Sequence, residues 1–173
     1  MHGRVTAYIG LGSNLEDPVA QIHQAVVALG QREGMELGPV SELYRSPPMG
    51  PQDQPDFVNA VARVVTALDP LALLDVLQAQ EQAQARRRGR HWGPRTLDLD
   101  LLLYGNQVLD TERLTVPHPG LHLRAFVLYP LAELAPGVRI PGRGSLQELL
   151  AVCPREGVRR LREDTGSGTR PDA

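Results

Sequence analysis

Apolar and polar positions in the first half of the chain predict three strands and two helices. A β-rich apolar run at residues 4–11 predicts a buried first strand. Apolar residues then recur every three or four positions over residues 19–29, which predicts an amphipathic helix. Residues 35–44 are predicted as a second strand, and alternation over residues 56–67 predicts a third. Residues 69–84 are predicted as a second amphipathic helix.

The second half begins with the sharpest strand pattern in the chain, residues 96–104. Here Asp98 and Asp100 alternate with leucines predicted to take the opposite, buried face, namely Leu97, Leu99, Leu101 and Leu103. The remaining predicted elements are a turn at residues 105–106, a short return strand around Val108, and helices at residues 124–134 and 145–152.

The order of these elements predicts the fold class. Strand, helix, strand, strand, helix, strand and a helical end form two strand-helix-strand units, which is the ferredoxin-like α+β plan. We expect one domain over residues 1–162 and a polar, frayed tail at residues 163–173. The helices should cover one sheet face, and the other face should be partly open or covered by long loops and the C-terminal helices.

Composition narrows the chemistry. The chain has 173 residues and a formal net charge of -2, which argues against a dedicated nucleic-acid binder. All 18 Lys and Arg positions are Arg, so Schiff-base chemistry, a lysine general base and a Walker A loop are excluded. A bound phosphate must therefore be held by arginine, backbone amides or a metal ion.

The single cysteine, Cys153, excludes an intramolecular disulfide and a cysteine-based zinc cluster. The sequence has no apolar run of membrane-spanning length, and residues 1–10 do not have the pattern of a secretory signal. We therefore expect a cytoplasmic location.

Asp98 and Asp100 are the first candidate site. Residues two apart on a strand project from the same face, and two adjacent carboxylates are costly to keep ionised without a cation. A pair of Mg²⁺ ions would resolve that cost and would suit phosphate chemistry. The alternative is a strand with a solvated acidic face.

An arginine-rich segment, predicted as a loop over residues 86–94, precedes this strand and contains Trp92. One guanidinium group can bind two phosphate oxygens at once, and an indole face can stack on a heteroaromatic ring. The alternative is a solvated basic loop or a nonspecific nucleic-acid patch. Because the arginines immediately precede the two aspartates in the sequence, a nucleoside triphosphate site is the favoured interpretation.

The residues alone leave the roles of three further groups of residues undecided. Phe57 and Asn59 share a strand face and could stack and read a planar ligand, or could be a core aromatic beside a turn-satisfying amide. The residues that could meet a phosphate tail are Arg113, Thr115, His118 and Arg124. Residues 10–14 superficially resemble a phosphate loop, but a strand-to-helix turn is the favoured interpretation.

Four blocks of sequence resemble one enzyme family. They are AYIGLGSNLEDP from Ala7, YRSPPMGPQDQPDFVNA from Tyr44, WGPRTLDLDLLLYG from Trp92 and LTVPHPGLHLRAFVLYPLAELAP from Leu114. In order and spacing they are similar to 6-hydroxymethyl-7,8-dihydropterin pyrophosphokinases of folate biosynthesis, and the similarity extends to about residue 155. The resemblance implies a ferredoxin-like α-β-α sandwich with a mainly antiparallel sheet. It also implies two Mg²⁺ ions and the transfer of a pyrophosphoryl group from ATP to the pterin hydroxymethyl group, with release of AMP.

The resemblance assigns roles by motif position. Asp98 and Asp100 correspond to the metal ligands, and Arg86 and Arg95 to arginines that contact the phosphates. The residues that correspond to pterin contacts are Ser46, Pro47, Met49, Phe57, Asn59, Trp92 and Phe126, with the two phenylalanines sandwiching the ring and Asn59 at its edge. The residues that correspond to ATP contacts are Gln78, Glu81, Arg88, Trp92, Arg95, Leu101, Arg113, Thr115, His118 and Arg124.

Two alternatives to this enzyme remain at the level of the residues. One is a non-catalytic ferredoxin-like module that binds RNA through the arginine-rich segment. The other is a two-metal nuclease or nucleotidyltransferase that uses the same aspartates. The chain departs from the family pattern at Ala85, His91, Pro119 and Leu123, and we expect it to be a monomer.

Overall fold

The computed structural model describes residues 3–15, 17–47, 55–87, 97–155 and 157–161, with the backbone alone for Arg86 and Arg87. The strands are β1 Val5–Ser13, β2 Met35–Val40, β3 Tyr44–Ser46, β4 Phe57–Thr66, β5 Asp98–Tyr104, β6 Leu109–Asp110, β7 Thr115–Val116, β8 Arg139–Ile140, β9 Gly144–Ser145 and β10 Arg159–Arg160. The helices are α1 Pro18–Gly30, α2 Pro70–Arg87, α3 Ala125–Leu134 and α4 Leu146–Val152, with a 3-10 turn at Leu121–Leu123. No helix among the described residues has the length and hydropathy of a membrane span.

The principal sheet has six strands in the order β10-β3-β4-β1-β5, with β2 also paired to β4. Every neighbouring pair is antiparallel. Because β1 and β2 both run antiparallel to β4 between them, α1 is a crossover connection, and α2 connects β4 to β5 in the same way. This is the ferredoxin-like arrangement, so the predicted fold class is confirmed.

Each face of the sheet carries its own hydrophobic core. On the first face α1 and α2 pack against the sheet through residues such as Ile22, Leu29 and Leu77. On the second face α3 and α4 contribute a separate core that includes Leu128 and Leu146. Of the two predicted arrangements, a partly open face or a covered one, the C-terminal helices give the covered one, and the layers form an α-β-α sandwich.

Side chains cap three of the helices. Asp17 accepts a hydrogen bond from the amide of Ala20 at the start of α1. Asp69 accepts one from the amide of Ala72, at 2.9 Å, at the start of α2. Ser145 and Glu148 form a reciprocal capping box on α4.

Buried amides tie the C-terminal half of α2 to α1. The Gln84 amide nitrogen donates to the backbone and side-chain oxygens of Gln21, at 3.1 and 3.0 Å. Gln80 donates to the Gln84 side-chain oxygen at 2.9 Å. The helix extends through Arg87, beyond the predicted end at Gln84, because residues 81–87 are strong helix formers. Arg86 and Arg87 therefore lie in the helix and not, as predicted, in a loop.

The strand predicted over residues 35–44 is two strands, β2 and β3. Pro39 cannot donate to the sheet, and the register between β2 and β4 shifts between Leu37 and Val40. Ser41 then bonds to Val61 through both its amide, at 2.8 Å, and its hydroxyl oxygen, at 3.0 Å. β2 thus continues past Pro39 to Val40 with a shifted register, and the break before β3 falls at residues 41–43.

A β-bulge changes the end of β5. Ile9 pairs with Leu101 and Tyr8 with Leu103, which leaves Leu102 as the extra residue. Leu102 and Leu103 both lie in the second core. The prediction that Leu103 shares the face of Leu99 and Leu101 was wrong, because strict alternation cannot anticipate a bulge.

The return strand predicted around Val108 does not pair with β5. The chain turns at Gly105, whose φ is +54°, and β6 pairs with β7 in a separate two-stranded sheet. The open edge of β5 is met instead by the His118 amide, which donates to the Leu102 carbonyl at 3.0 Å. Val108 itself is exposed.

Candidate active site

One cavity collects most of the described candidate residues. It encloses about 220 Å³ on the second face of the sheet, at the N-terminal end of α3. Its lining comes from β1, β3, β4, β5 and α3, and comprises Gly10, Leu11, Gly12, Ser46, Pro47, Phe57, Asn59, Ala60, Asp98, Asp100, Leu102, Arg124, Phe126 and Val127. Phe57 and Asn59 were predicted to share a face of their strand, and Asp98 and Asp100 a face of theirs. Both pairs line this one cavity.

Strand register explains how the amide and the carboxylates meet. Gly12 on β1 is the direct partner of Asn59 on one side and of Asp98 on the other. Directly paired residues share a sheet face, so these three residues form a row across β4, β1 and β5. With strands about 4.8 Å apart, Asn59 and Asp98 are separated by about 10 Å at the backbone. Because Gly12 has no side chain, there is room above it, and the Asn59 side-chain nitrogen lies in part of that room.

Residues 10–13 belong to β1, so the prediction of a strand-to-helix turn over residues 10–14 was wrong for most of that segment. Gly10 and Gly12, which line the cavity, were therefore not predicted as site residues. Two glycines at alternate positions of a strand were the available signal, because a glycine inside a strand often marks the close approach of another group.

The side of the cavity near β3 and β4 is buried and hydrogen-bonded. The Ser46 hydroxyl donates to the Asn59 side-chain oxygen at 3.0 Å, and these residues are only 4% and 8% exposed. Phe57 and Phe126 are half-buried and line the same space. The Arg124 guanidinium carbon lies 5.7 Å from the Phe126 ring centroid, which is within the range of a cation–π contact.

The side of the cavity formed by β5 is acidic and more open. The Asp100 side chain is 47% exposed. Glu81 on α2 accepts a hydrogen bond from the Leu99 amide at 2.7 Å, which ties the helix to the strand between the two aspartates. Two carboxylates on one accessible strand face suit Mg²⁺, a cation that keeps several water or phosphate ligands. The described residues contain no cluster of three or more His, Cys, Asp and Glu side chains suited to metal binding.

His118 lies beside the acidic side. Its Nε2 atom is 3.9 Å from an Asp100 oxygen, and its Nδ1 atom accepts a hydrogen bond from the Gly120 amide at 3.1 Å. Because Nδ1 accepts, the neutral ring carries its proton on Nε2, facing Asp100. Burial lowers the pKa of His118 below its ordinary value, while Asp100 opposes that effect and Arg124 adds to it.

Several residues assigned to ATP lie outside the cavity lining. Arg113 donates to Asp75 at 2.6 Å and to Gln78 at 3.2 Å on the exposed surface of α2. Thr115 donates to Asp110 at 3.4 Å. The Leu101 side chain is buried in the first core, so only its backbone can meet a ligand.

Some assigned residues cannot be placed. Met49, Arg88, Trp92, Arg95 and the predicted tail at residues 163–173 lie outside the described residues, as does the side chain of Arg86. β5, the strand that follows the arginine-rich segment in sequence, begins at Asp98 beside the cavity.

Comparison with known proteins identifies the family that the chain resembles. The model of the 7,8-dihydro-6-hydroxymethylpterin-pyrophosphokinase family matches residues 8–136. A 2-amino-4-hydroxy-6-hydroxymethyldihydropteridine pyrophosphokinase of Pseudomonas aeruginosa is 56% identical over 154 residues, covering 89% of this chain and 95% of the relative. One from Haemophilus influenzae is 53% identical over 146 residues, covering 84% of this chain and 91% of the relative.

Solved structures agree on the fold. A Plasmodium falciparum HPPK-DHPS structure superposes with a TM-score of 0.68 at 14% identity, covering 87% of this chain and 45% of that one. An HPPK-DHPS solved in complex with substrates gives a TM-score of 0.69 at 13% identity, covering 91% and 46%. The chain thus spans slightly less than half the length of these solved proteins.

Proposed function

Because the chain belongs to the 7,8-dihydro-6-hydroxymethylpterin-pyrophosphokinase family, we propose that the cavity between Asn59 and Asp98 is where its reaction occurs. The chain transfers the pyrophosphoryl group of ATP to the hydroxymethyl group of 6-hydroxymethyl-7,8-dihydropterin and releases AMP, a step of folate biosynthesis. The row Asn59–Gly12–Asp98 is the observation that supports this placement, since it sets an amide that can read a ring and a carboxylate on the strands either side of Gly12.

We propose that the pterin occupies the buried side of the cavity. A flat ring can lie between Phe57 and Phe126, where aromatic stacking contributes about 1–3 kcal/mol per ring. The Asn59 carboxamide reads the ring edge by hydrogen bonding. Backbone groups of Ser46, Pro47 and Met49 complete the pterin contacts.

We propose that Asp98 and Asp100 hold two Mg²⁺ ions with the triphosphate. Carboxylates on a partly exposed strand face leave room for the phosphate and water ligands that Mg²⁺ retains. Bound there, divalent cations neutralise phosphate charge and lower the pKa of a coordinated hydroxyl. Glu81 holds the backbone between the two aspartates, so it supports their common orientation.

The remaining charged residues are proposed to grip ATP. His118 directs its Nε2 proton toward Asp100, and Arg124 lines the cavity beside Phe126. Gln78, Arg113 and Thr115 lie outside the cavity lining and would meet the outer part of the nucleotide. The arginines Arg86, Arg88 and Arg95 would contact phosphates, and Trp92 would separate the two substrates. Transfer of this kind needs positioning and charge neutralisation and no covalent nucleophile.

The proposal is tested by measuring AMP formation from ATP with purified protein. AMP should appear only when 6-hydroxymethyl-7,8-dihydropterin and Mg²⁺ are both present, and EDTA should stop it. Pyrophosphate release would indicate a nucleotidyltransferase, and cleavage of nucleic acid would indicate a nuclease, so either result would contradict the assignment. The RNA-binding alternative has no support from the family or its relatives, while the monomeric state, the single domain and the cytoplasmic location stay predictions.

A further inference from the structure

We propose that Gly12 and Ser46 are positioning residues that together fix the Asn59 carboxamide, and thereby set the affinity of the site for the pterin ring. The inference rests on the proposed placement of the pterin beside Asn59. It concerns what two residues do through Asn59: the Ser46 side chain supplies a hydrogen bond, separate from the proposed backbone contact of Ser46 with the pterin, and Gly12 supplies the space in which the amide lies.

The first observation is the buried hydrogen bond from Ser46 to Asn59. The Ser46 hydroxyl donates to the Asn59 Oδ1 atom at 3.0 Å, and both residues are more than nine-tenths buried. A hydrogen bond shielded from water holds its partners more firmly than one that water can replace. Ser46 therefore restrains the plane of the amide before any ligand arrives.

The second observation is that the amide nitrogen of Asn59 has no acceptor among the described residues, although the residue is only 8% exposed. A buried N–H donor without a partner is costly, and such donors are normally satisfied. Asn59 lines the cavity. Its nitrogen is thus available to a ligand that offers a hydrogen-bond acceptor at its edge.

The third observation is the clearance above Gly12. A Cβ atom built on Gly12 would lie 2.8 Å from the Asn59 nitrogen, closer than such atoms approach in real structures. Gly12 and Asn59 are direct cross-strand partners, so the backbone cannot easily increase this separation. An alanine at position 12 must therefore displace the Asn59 side chain, which cannot move without disturbing its bond to Ser46.

Gly10 provides a matched comparison on the same strand and the same face. A Cβ atom built on Gly10 would meet the Leu102 side chain at 3.4 Å, an ordinary van der Waals contact. Both glycines have the same backbone role in β1, and neither has a positive φ. The difference between them is the neighbour that a methyl group would strike: a flexible leucine at position 10 and the restrained amide at position 12.

The test is a double-mutant cycle that measures KM for the pterin, KM for ATP and kcat in Gly12→Ala, Asn59→Ala and the double variant. Gly12→Ala should raise the pterin KM about 10-fold, the scale of one lost hydrogen bond to a buried group, and leave the ATP KM within about two-fold. Gly10→Ala should raise the pterin KM less than about three-fold, since it meets only an ordinary contact. In the Asn59→Ala background, where the struck amide is gone, Gly12→Ala should add less than about two-fold.

Two outcomes would overturn the inference. The pterin KM of Gly12→Ala could stay near the unmodified value, or its full increase could persist after Asn59 has been removed. Ser46 gives an independent arm, in which Ser46→Ala should raise the pterin KM and Ser46→Thr, which keeps the hydroxyl, should restore most of the loss. If Asn59→Ala alone left the pterin KM unchanged, the proposed pterin placement would fail instead, and thermal unfolding of each variant separates either result from a loss of fold.

Discussion

The two sides of the cavity differ in how much of their geometry is set before a ligand binds. On one side Ser46 and Asn59 are 4% and 8% exposed and bonded to each other. On the other side the Asp100 side chain is 47% exposed and faces solvent beside His118. Recognition of a flat ring favours dry groups that are already oriented, because ordering them on binding would cost affinity. Metal and phosphate binding instead requires access for ions and water.

The division runs along a single strand. Gly12 lies between Asn59 and Asp98 in the sheet register, and Gly10 pairs with Asp100 in the same way. A larger side chain at either position would project into the space between the two sides. The comparison therefore predicts that variants on one side change the pterin parameters and that variants on the other side change the metal and nucleotide parameters.

The largest effect is expected on the open side. Asp98→Ala and Asp100→Ala should each lower kcat by about 10²–10³-fold, because each removes a carboxylate proposed to hold a cation beside the transferred phosphates. The pterin dissociation constant should change much less. Initial rates over a range of Mg²⁺ concentrations would measure this, with Glu36→Ala, which removes an exposed carboxylate paired to Arg4, as the control. Near-normal turnover in both aspartate variants would contradict the proposed metal site.

The second-largest effect is expected for variants on the buried side of the cavity. Phe126→Ala should raise the pterin KM by about 10–100-fold through lost stacking, with the ATP KM changed far less. Tyr129→Ala is the matched control, because Tyr129 lies on the same helix but packs under Arg155, whose guanidinium carbon is 4.7 Å from the ring centroid. An equal rise in pterin KM for both variants would indicate a general disturbance of α3.

A smaller effect is expected from the link between α2 and β5. Glu81→Ala removes the acceptor of the Leu99 amide, which holds the backbone between the two aspartates. The Mg²⁺ concentration needed for half-maximal activity should rise about 10-fold, as for other residues that orient metal ligands. Glu81→Gln keeps an oxygen acceptor and should lie between the two. A change in pterin KM at unchanged Mg²⁺ dependence would place Glu81 in a different role.

The smallest effect concerns stability at the outer end of the buried side. Tyr44 is the cross-strand partner of Asn59 and donates its hydroxyl hydrogen to Glu133. Burial, and then the Glu133 carboxylate, raise the pKa of Tyr44 well above its ordinary value near 10. The folded protein therefore keeps this proton when the unfolded chain loses it, so stability is retained below about pH 10 and falls as the pH rises further.

Urea unfolding at pH 8 and pH 10.5 in the unmodified protein and in Tyr44→Phe measures this difference. Phenylalanine does not titrate, so the variant should lose less stability between the two pH values, by about 1 kcal/mol. Tyr104, whose pKa burial also raises, contributes equally in both proteins. Identical pH profiles would remove the titration of Tyr44 from the account.

The sequence predicts which side chains line this site better than it predicts the glycines of β1 that lie beneath them. Period-two alternation fixes which residues share a strand face, so the pairs Phe57 with Asn59 and Asp98 with Asp100 could be recognised. Alternation fails at the bulge at Leu102, because the extra residue depends on pairing with β1.

Other features depend on contacts between distant segments. Gly12 has no side chain to suggest a role, and its importance follows from the register that brings Asn59 beside it. The hydrogen bond that the Leu99 amide donates to Glu81 requires the packing of α2 on β5, which no local sequence pattern specifies. The resemblance to the pterin pyrophosphokinases identified Glu81 as a site residue, while this contact adds a support for the backbone between the aspartates.

The most direct test of the divided cavity is a crystal structure with Mg²⁺, a non-hydrolysable ATP analogue and 6-hydroxymethyl-7,8-dihydropterin. We predict Mg²⁺ at about 2.0–2.1 Å from carboxylate oxygens of Asp98 and Asp100. The pterin should lie between Phe57 and Phe126 with its edge at about 3 Å from Asn59. Metals bound away from both aspartates, or a pterin ring on the β5 side of Gly12, would contradict the account.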